Sequence, residues 1–560
     1  MNHLVFCRPV LTMLAAAAWM TSVVTAPLHA EVVVGNSFPD GGSASVQPYP
    51  TGMSVIDFFS QNGPGVHVQD FSVSQNYILN SVTIQMANAT STAGGFGLSL
   101  QTLSANGGGT VTFSLVQDLA GSSNPATAGS YTYTGSAPMA AGSSFWVVGQ
   151  VGAGGGTYNW QTSSDGGSRY FVIANGSAGP GIPGPLNLND VLLFASPGGG
   201  LLFSVDATLI DTEGALQLAL GEQQGVLAGS QTVLGDVNNQ LFNLRAGGGE
   251  EDDEGGIAAS LDEGVVLGQG DGPESPIARR VRRSRQWEAF TTVNYGNLRL
   301  SPVSSQAGVQ VDSWAPAVGL QRHLSRGLTA GFAVTILSSS QHYTGGLGSL
   351  NLDGPALSAY LSYVRKGFWG NLLYSFGDYQ ISSTRNPGGG LPFALGSTYA
   401  YTNAIQFNTG WNFRFQNGTL VTGPFAGIDY LHGSINAYSE TGGGIAGMSY
   451  ASQSFQSLVT RVGWSLSKKI ATDFAVITPQ VRLSYERQNV SSNGTSVQAI
   501  NAPFSASGGN QSPGQDYMVA GGGVNFQFSP AFGLLLGYQT QFFRNNLQAH
   551  FGSVRLSYKF

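Results

Sequence analysis

From Gln286 to Phe560 the chain alternates apolar and polar side chains almost residue by residue. At the C-terminus Val554, Leu556, Tyr558 and Phe560 interleave with Ser553, Arg555, Ser557 and Lys559. Earlier, Ile405, Phe407, Trp411, Phe413 and Phe415 interleave with Gln406, Asn408, Asn412 and Arg414. Successive side chains of a strand point to opposite faces, so each segment has one oily, aromatic face and one polar face. The pattern predicts twelve strands, at 286–295, 311–323, 328–339, 354–365, 368–381, 399–414, 419–432, 454–466, 474–487, 516–528, 531–542 and 548–560. The connections at 325–327, 366–367, 416–418, 468–469 and 529–530 are tight. Those at 296–310, 340–353, 382–398, 433–453 and 488–515 are long and rich in Gly, Ser and Asn. Oily outward faces, a polar interior, an even strand number and short turns opposite long loops describe a transmembrane antiparallel β-barrel of the outer-membrane type. Closure is then obligatory, because an open edge in hydrocarbon leaves backbone donors unpaired at several kcal/mol each.

Residues 31–210 keep a different rhythm. Short apolar runs such as Ser81–Met86, Thr110–Val116, Phe145–Val148 and Leu201–Val205 are separated by clusters of Gly, Ser, Asn and Pro. Many short strands at that spacing predict a β-sandwich or jelly roll, so the fold class is all-β. The helical signal falls between the two regions, over 211–246. There Leu220, Leu227, Leu234 and Leu241 recur every seven residues, with Leu216, Val237 and Leu244 in the companion position. From Thr212 to Arg245 such a helix reaches about 50 Å at ~1.5 Å per residue, longer than the ~40–45 Å of a whole bilayer. Gly214, Gly221, Gly225, Gly229 and Gly235 weaken it by up to ~1 kcal/mol each relative to Ala. Residues 247–285 read as a flexible linker, acidic at Glu250–Glu254 and basic from Arg279 to Arg285. The basic run suits anionic lipid head groups or lumenal pairing, with a protease target as the alternative.

Residues 1–30 read as a secretory leader, with Arg8 before an apolar run from Leu11 to Val24 and small-residue exits at Ala26 and Ala30. Beyond it no run of ~18 uncharged apolar residues marks a membrane helix. Charged residues make up 9% of the 560, hydrophobic residues 42%, and there are 80 glycines, a composition suited to exported all-β architecture. A formal net charge of −7, with Arg169 the one basic side chain between 31 and 210, leaves no footprint for nucleic acid. Cys7, the single cysteine, lies in the leader. The mature chain is therefore expected to have no disulfide, no thiol nucleophile and no cysteine metal site.

Candidate chemistry is sparse. The chain has no G-x-S-x-G, H-E-x-x-H or phosphate-loop motif. His67, His323, His342, His432 and His550 are scattered without ligand spacing. No catalytic residue, cofactor or metal is expected, and the chain reads as a non-enzyme. The nearest nucleophile–base pair, His432 and Ser434, lies two residues apart on one predicted strand. Gly179-Pro180-Gly181-Ile182-Pro183-Gly184 matches G-x-G-x-x-G, but two prolines and no following helix make it a turn. Trp146, Tyr158, Trp160 and Tyr170 are either a platform for sugar stacking or filling for the sandwich core.

Trp287-Glu288-Ala289-Phe290 opening the first strand, the twelve-strand count and the terminal Leu556-Ser557-Tyr558-Lys559-Phe560 resemble the translocator domain of the autotransporter family of type V secretion. The resemblance implies export by the Sec translocon and insertion of 286–560 into outer-membrane lipid. It makes Leu556, Tyr558 and Phe560 the signal read by the barrel-assembly machinery. Residues 31–210 become a passenger at the cell surface, with an adhesive or structural role, a surface glycan or host-cell ligand, and a monomeric state. The resemblance also seats a helix such as 211–246 in the barrel lumen. A self-associating helix in the periplasm or at the surface is the other reading. Asp236-Val237-Asn238-Asn239 resembles the Asn-Asn site at which some autotransporters sever the passenger by cyclisation of the first Asn. Here about fifty residues separate Asn239 from Trp287, a departure that leaves both as ordinary helix residues in the alternative. Val34-Gly35-Asn36-Ser37-Phe38, Gln69-Asp70-Phe71-Ser72-Val73 and Phe145-Trp146-Val147-Val148 resemble in order the "choice-of-anchor" β-sandwich ectodomains, which carry no agreed activity. Two rival expectations are an outer-membrane channel with a periplasmic N-terminal domain and a surface enzyme.

Overall fold

A computed structural model describes residues 31–35, 55–57, 66–89, 95–106, 110–151, 158–161, 170–173, 186–187, 191–192, 203–247, 287–302, 307–325, 327–388, 391–416, 418–509 and 514–560. The leader, the acidic run at Glu250–Glu254 and the arginines from Arg279 to Arg285 lie outside them.

Twelve antiparallel strands close into a barrel. They are β1 (Trp287–Leu300), β2 (Val309–Ser325), β3 (Leu328–Tyr343), β4 (Gly348–Arg365), β5 (Phe368–Arg385) and β6 (Ala394–Trp411), followed by β7 (Leu420–Ile435), β8 (Gln453–Lys468), β9 (Val476–Ser492), β10 (Asp516–Gln527), β11 (Phe532–Phe542) and β12 (Leu547–Lys559). Each pairs with the next, and β12 returns to β1 in one unbroken register from Glu288↔Lys559 to Leu300↔Leu547. Trp287 and Phe560 finish the seam by exchanging backbone bonds, Phe560 N to Trp287 O at 2.9 Å and Trp287 N to Phe560 O at 3.3 Å. The predicted alternation is what the barrel wall uses. On β5, Trp369, Asn371, Leu373 and Ser375 turn inward and are buried. Phe368, Leu372, Tyr374 and Phe376 of the same strand turn outward and stay exposed.

The short turns have local causes. Lys366 and Gly367 both take positive φ (+48° and +86°) between the paired residues Arg365 and Phe368. That is the two-residue type I′ geometry, whose twist matches the flanking strands and whose second position favours glycine. At the opposite end the strands overrun their predicted limits. β4 begins at Gly348 rather than 354, β5 continues to Arg385 rather than 381, and β6 begins at Ala394 rather than 399. The oily outward face ends near Leu357 and Phe376, and beyond it Asn351, Asp353 and Gln380 are exposed instead. Backbone pairing needs no oily side chain, so the sheet rises past the lipid band without the signal that betrays it. Above this rim the segments Tyr438–Ser439, Met448–Tyr450, Thr495–Ala499 and Ser505–Gly508 pair into a small sheet of their own.

The N-terminal region consists of two antiparallel sheets. Tyr77–Ala87 and Phe203–Leu209 lie at the centre of one, and Phe96–Asn106 and Ser144–Val151 at the centre of the other. Leu79, Val82 and Ile84 from the first meet Phe96, Leu98, Leu100 and Val147 from the second in one core that also takes in Tyr158 and Trp160. Directly after Phe203–Leu209 the chain enters helix α1 (Thr212–Gly247), of 36 residues and so ~54 Å long. The Asp211 carboxylate accepts the Gly214 amide at 2.7 Å, an N-cap that satisfies one of the donors the first turn would otherwise leave free.

Candidate functional site

The inward faces of the twelve strands define a bore, and α1 runs through it. Among the described residues no helix is apolar enough to cross a membrane through lipid; α1 instead has the barrel as its surroundings. Leu218, Val226, Leu227, Val233 and Leu234 share a buried cluster with Leu337 and Tyr343 of β3, Leu350 and Leu352 of β4, and Phe290 of β1. The helix is held to the β1–β5 side. Two of its glycines explain how closely: a Cβ at Gly221 would overlap the Tyr343 ring, and one at Gly225 the Gln341 amide. The glycines that weaken an isolated helix thus create the groove into which the wall fits.

The polar groups of α1 are satisfied in two ways. Ser230 and Thr232 donate back to the carbonyls of Val226 and Ala228, at 2.8 and 3.1 Å. Higher up, the fully buried Glu222 accepts Tyr438 Oη at 2.5 Å and Gln453 Nε2 at 3.2 Å, and Gln223 Nε2 donates to Gln453 Oε1 at 2.8 Å. Tyr438 stacks on Tyr450 with centroids 4.5 Å apart. Tyr450 Oη donates to Glu440 Oε1 at 2.7 Å, and Arg385 at the top of β5 grips the Glu440 carboxylate with Nε at 2.8 Å and Nη2 at 2.6 Å. A continuous chain of contacts therefore runs from α1 through the outer loops to the barrel wall. Two residues of the N-terminal region, Ile78 and Ile210, pack in the same apolar cluster as Leu216 and Leu220 of α1 and Met448 and Val497 of the loops.

On the far wall, β7–β11, the bore is polar. Arg461 of β8 contacts Asp429 of β7 and stands 3.7 Å from Glu486 of β9, which also accepts Tyr517 Oη at 3.2 Å and Ser484 Oγ at 3.0 Å. Arg482 donates to Gln539, and the Arg544 guanidinium lies 4.4 Å from the Tyr517 ring centre. Between this wall and α1 lies a cavity of about 110 Å³, lined by Gln231, Thr232, Asp429, Arg461, Glu486 and Tyr517 among others. That space holds a few waters. Two carboxylates facing two guanidiniums leave it near neutral, a wet slot without a strong field of either sign. Among the described residues no cluster of His, Cys, Asp or Glu suits a metal ion.

The sequence-derived candidates fall as follows. Leu556, Tyr558 and Phe560 lie on the outward face, 41%, 55% and 48% exposed, with the Tyr558 and Phe560 rings 6.4 Å apart. Trp146, Tyr158 and Trp160 are buried; Tyr158, which donates to Asn124 Oδ1 at 2.7 Å, and Trp160 lie in the two-sheet core, whereas Trp146 alternates with the core residues Phe145 and Val147 and lies on the other face of its strand. The stacking platform is thus replaced by core packing around Phe96. Tyr170 belongs to the strand Tyr170–Ile173, and its side chain lies outside the described residues. The backbone of Asn238 and Asn239 continues α1 without a break, and their side chains also lie outside. The lumenal ion cluster, the Glu222 site and the Arg385–Glu440 pair are not among the sequence candidates. Alternation already places Arg482, Ser484 and Glu486 inward, opposite Val481, Leu483 and Tyr485. What it lacks is the register that sets Arg461 beside Glu486.

Residues 289–539 match the family model described as the autotransporter beta-domain. A search of curated proteins finds no match. Among solved structures, the translocator domain of autotransporter NalP from Neisseria meningitidis is 19% identical, covers 51% of this chain and 95% of its own, and has a TM-score of 0.40. The beta domain of the Bordetella autotransporter BrkA is 14% identical, covering 49% of this chain and 100% of its own, with a TM-score of 0.38. The transport unit of the autotransporter AIDA-I from Escherichia coli is 12% identical, covering 50% and 91%, with a TM-score of 0.34.

Proposed function

Because residues 289–539 belong to the autotransporter beta-domain family, making this an outer-membrane protein of type V secretion, we propose that the barrel presents the N-terminal two-sheet region at the cell surface. The observation that carries the proposal is the path of α1. Its N-terminal turns pack with Ile78 and Ile210 at the long-loop mouth, while its later turns lie within the bore beside β1–β5. In barrels of this type the long loops face the exterior and the short turns the periplasm. A chain entering from the periplasmic side and emerging among the long loops would leave its N-terminal part outside. The Sec translocon delivers the unfolded chain to the periplasm, and the barrel-assembly machinery on which such barrels depend reads Leu556, Tyr558 and Phe560.

The displayed region acts as an adhesive or structural module of a monomeric protein, toward a surface glycan or a host-cell ligand, and not as an enzyme. A sugar would have to be recognised on residues other than Tyr158 and Trp160, whose rings the core occupies, and Trp146, which is buried as well. An impermeant maleimide tests the topology, since the mature sequence contains no cysteine to compete. Ser123→Cys, at an exposed turn of the two-sheet region, should label on intact cells as fully as after lysis. Labelling only after lysis sinks the proposal and leaves a channel with a periplasmic N-terminal domain. Screening the full-length protein against glycans and esters separates binding from turnover.

A further inference from the structure

The outward surface of the barrel is oily across its middle and rich in cations just past one end of that band. Along β4 the outward side chains run from Arg365 through Tyr363, Leu361, Ala359, Leu357 and Pro355 to Asp353. Those twelve steps cover ~40 Å of strand at ~3.3 Å each, and at a tilt of ~40° rise about 30 Å, a little more than the ~25 Å apolar band of such barrels. Arg365 and Asp353 therefore sit just past its two boundaries. At the long-loop end the outward charges are mixed, with Asp312 on β2 and Asp378 on β5 beside Arg299 on β1 and Arg487 on β9. At the short-turn end Arg322, Lys366 and Lys468 are exposed. Asp473 is the one exposed carboxylate at that end among the described residues.

The cations are set among rings, at the height where phospholipid head groups meet acyl chains. Arg322 lies over the Trp287 indole with its guanidinium carbon 5.1 Å from the ring centre. Arg365 and Lys366 adjoin Tyr363 and Phe368, whose ring centres are 6.4 Å apart. Like charges held together at one rim favour an anion between or beneath them. We propose that this collar binds anionic glycerophospholipids of the periplasmic leaflet, phosphatidylglycerol in the first place, with the phosphates on the Arg and Lys groups and the chains along the aromatic girdle. The site lies on the lipid face, so it stands whether or not the N-terminal region reaches the surface.

The test uses the full-length protein, purified in detergent and transferred to vesicles of phosphatidylcholine alone or phosphatidylcholine with phosphatidylglycerol. Native mass spectrometry counts the lipids retained, and a thermal melt reads the unfolding midpoint. The wild type should retain phosphatidylglycerol selectively and melt higher in its presence, an effect weakened by salt. In R322Q/R365Q/K366Q/K468Q the apparent affinity for phosphatidylglycerol should fall by about fivefold per cation removed, while D353N/D378N at the opposite boundary should leave it unchanged. Should the quadruple variant fail to show the heat-modifiable band of a folded barrel, the single variants R365Q and K468Q carry the same test, each with a fivefold loss. Equal retention of both lipids by the wild type, or unchanged retention in the variants, overturns the proposal.

Discussion

Arg385 and Glu440 are both almost fully buried, and their two hydrogen bonds are joined by donation from the Met448 amide and the Tyr450 hydroxyl to the same carboxylate. Removing one partner of such a pair leaves an uncompensated charge, at a cost of about 3–5 kcal/mol, whereas replacing both with apolar groups costs far less. Arg385→Ala should therefore release the 438–450 segment from the rim. Limited proteolysis of the detergent-purified protein, with the cut sites mapped by mass, should show rapid cleavage there, and R385M/E440L should recover much of the resistance. Asp206, on the strand Phe203–Leu209 and facing away from the inter-sheet core beside Asn80, gives a pH-dependent counterpart. Burial raises its carboxyl above the usual carboxylate value, more than the hydrogen bond from Asn80 lowers it. A carboxyl raised on folding contributes stability below its unfolded pKa of ~3.9 and loses that contribution as pH rises through the folded value. Asp206→Asn should thus raise the melting midpoint of the full-length protein's N-terminal region at pH 7, and the difference should vanish below pH ~4. Neither residue stands out in the sequence. Arg385 sits in a stretch whose outward face has lost its oily pattern, and Glu440 is a lone acid in a Gly-rich loop, so only the fold brings them together.

Elements were more legible than the contacts between them. Strand alternation survives because lipid and lumen impose it on each strand separately, and it fails only above the band, where β4 and β5 continue without oily neighbours. The heptad leucines announce α1 and its length, but its glycines read as weakness until Tyr343 and Gln341 are seen against them. That contrast makes a prediction. Gly225→Val should destabilise the occupied barrel by about 1–3 kcal/mol through overpacking against buried Gln341. Gly235→Ala, where a Cβ meets nothing within 4 Å, should instead gain up to ~1 kcal/mol of helix propensity. Apparent unfolding midpoints of the full chain in detergent would separate the two, and a stabilising Gly225→Val would refute the packing argument.

At the scale of the whole molecule, the closed sheet and its bore follow from a pattern visible along the chain, while the seating of α1 in that bore came only with the family resemblance and the N-terminal core depended on pairings across it. Trp160 joins Met86 and Ile56 in neighbouring strands, and no local period predicts that. The proposed terminal signal makes a different kind of prediction. Phe560 is half exposed on the lipid face and follows a strand already paired to β1, so Phe560→Ala should leave the melting midpoint of the assembled barrel nearly unchanged. Its level in the membrane of growing cells should drop several-fold, because assembly rather than stability is affected. Quantifying heat-modifiable barrel in membranes against the melt of refolded protein checks both halves.

The narrow water slot left beside α1 limits what the bore can carry. With room for only a handful of solvent molecules, the slot admits no second polypeptide while α1 stays in place. Under the proposed display, each copy would therefore present its own N-terminal module alone, and the number of modules on a cell would be capped, one for one, by the number of barrels it builds.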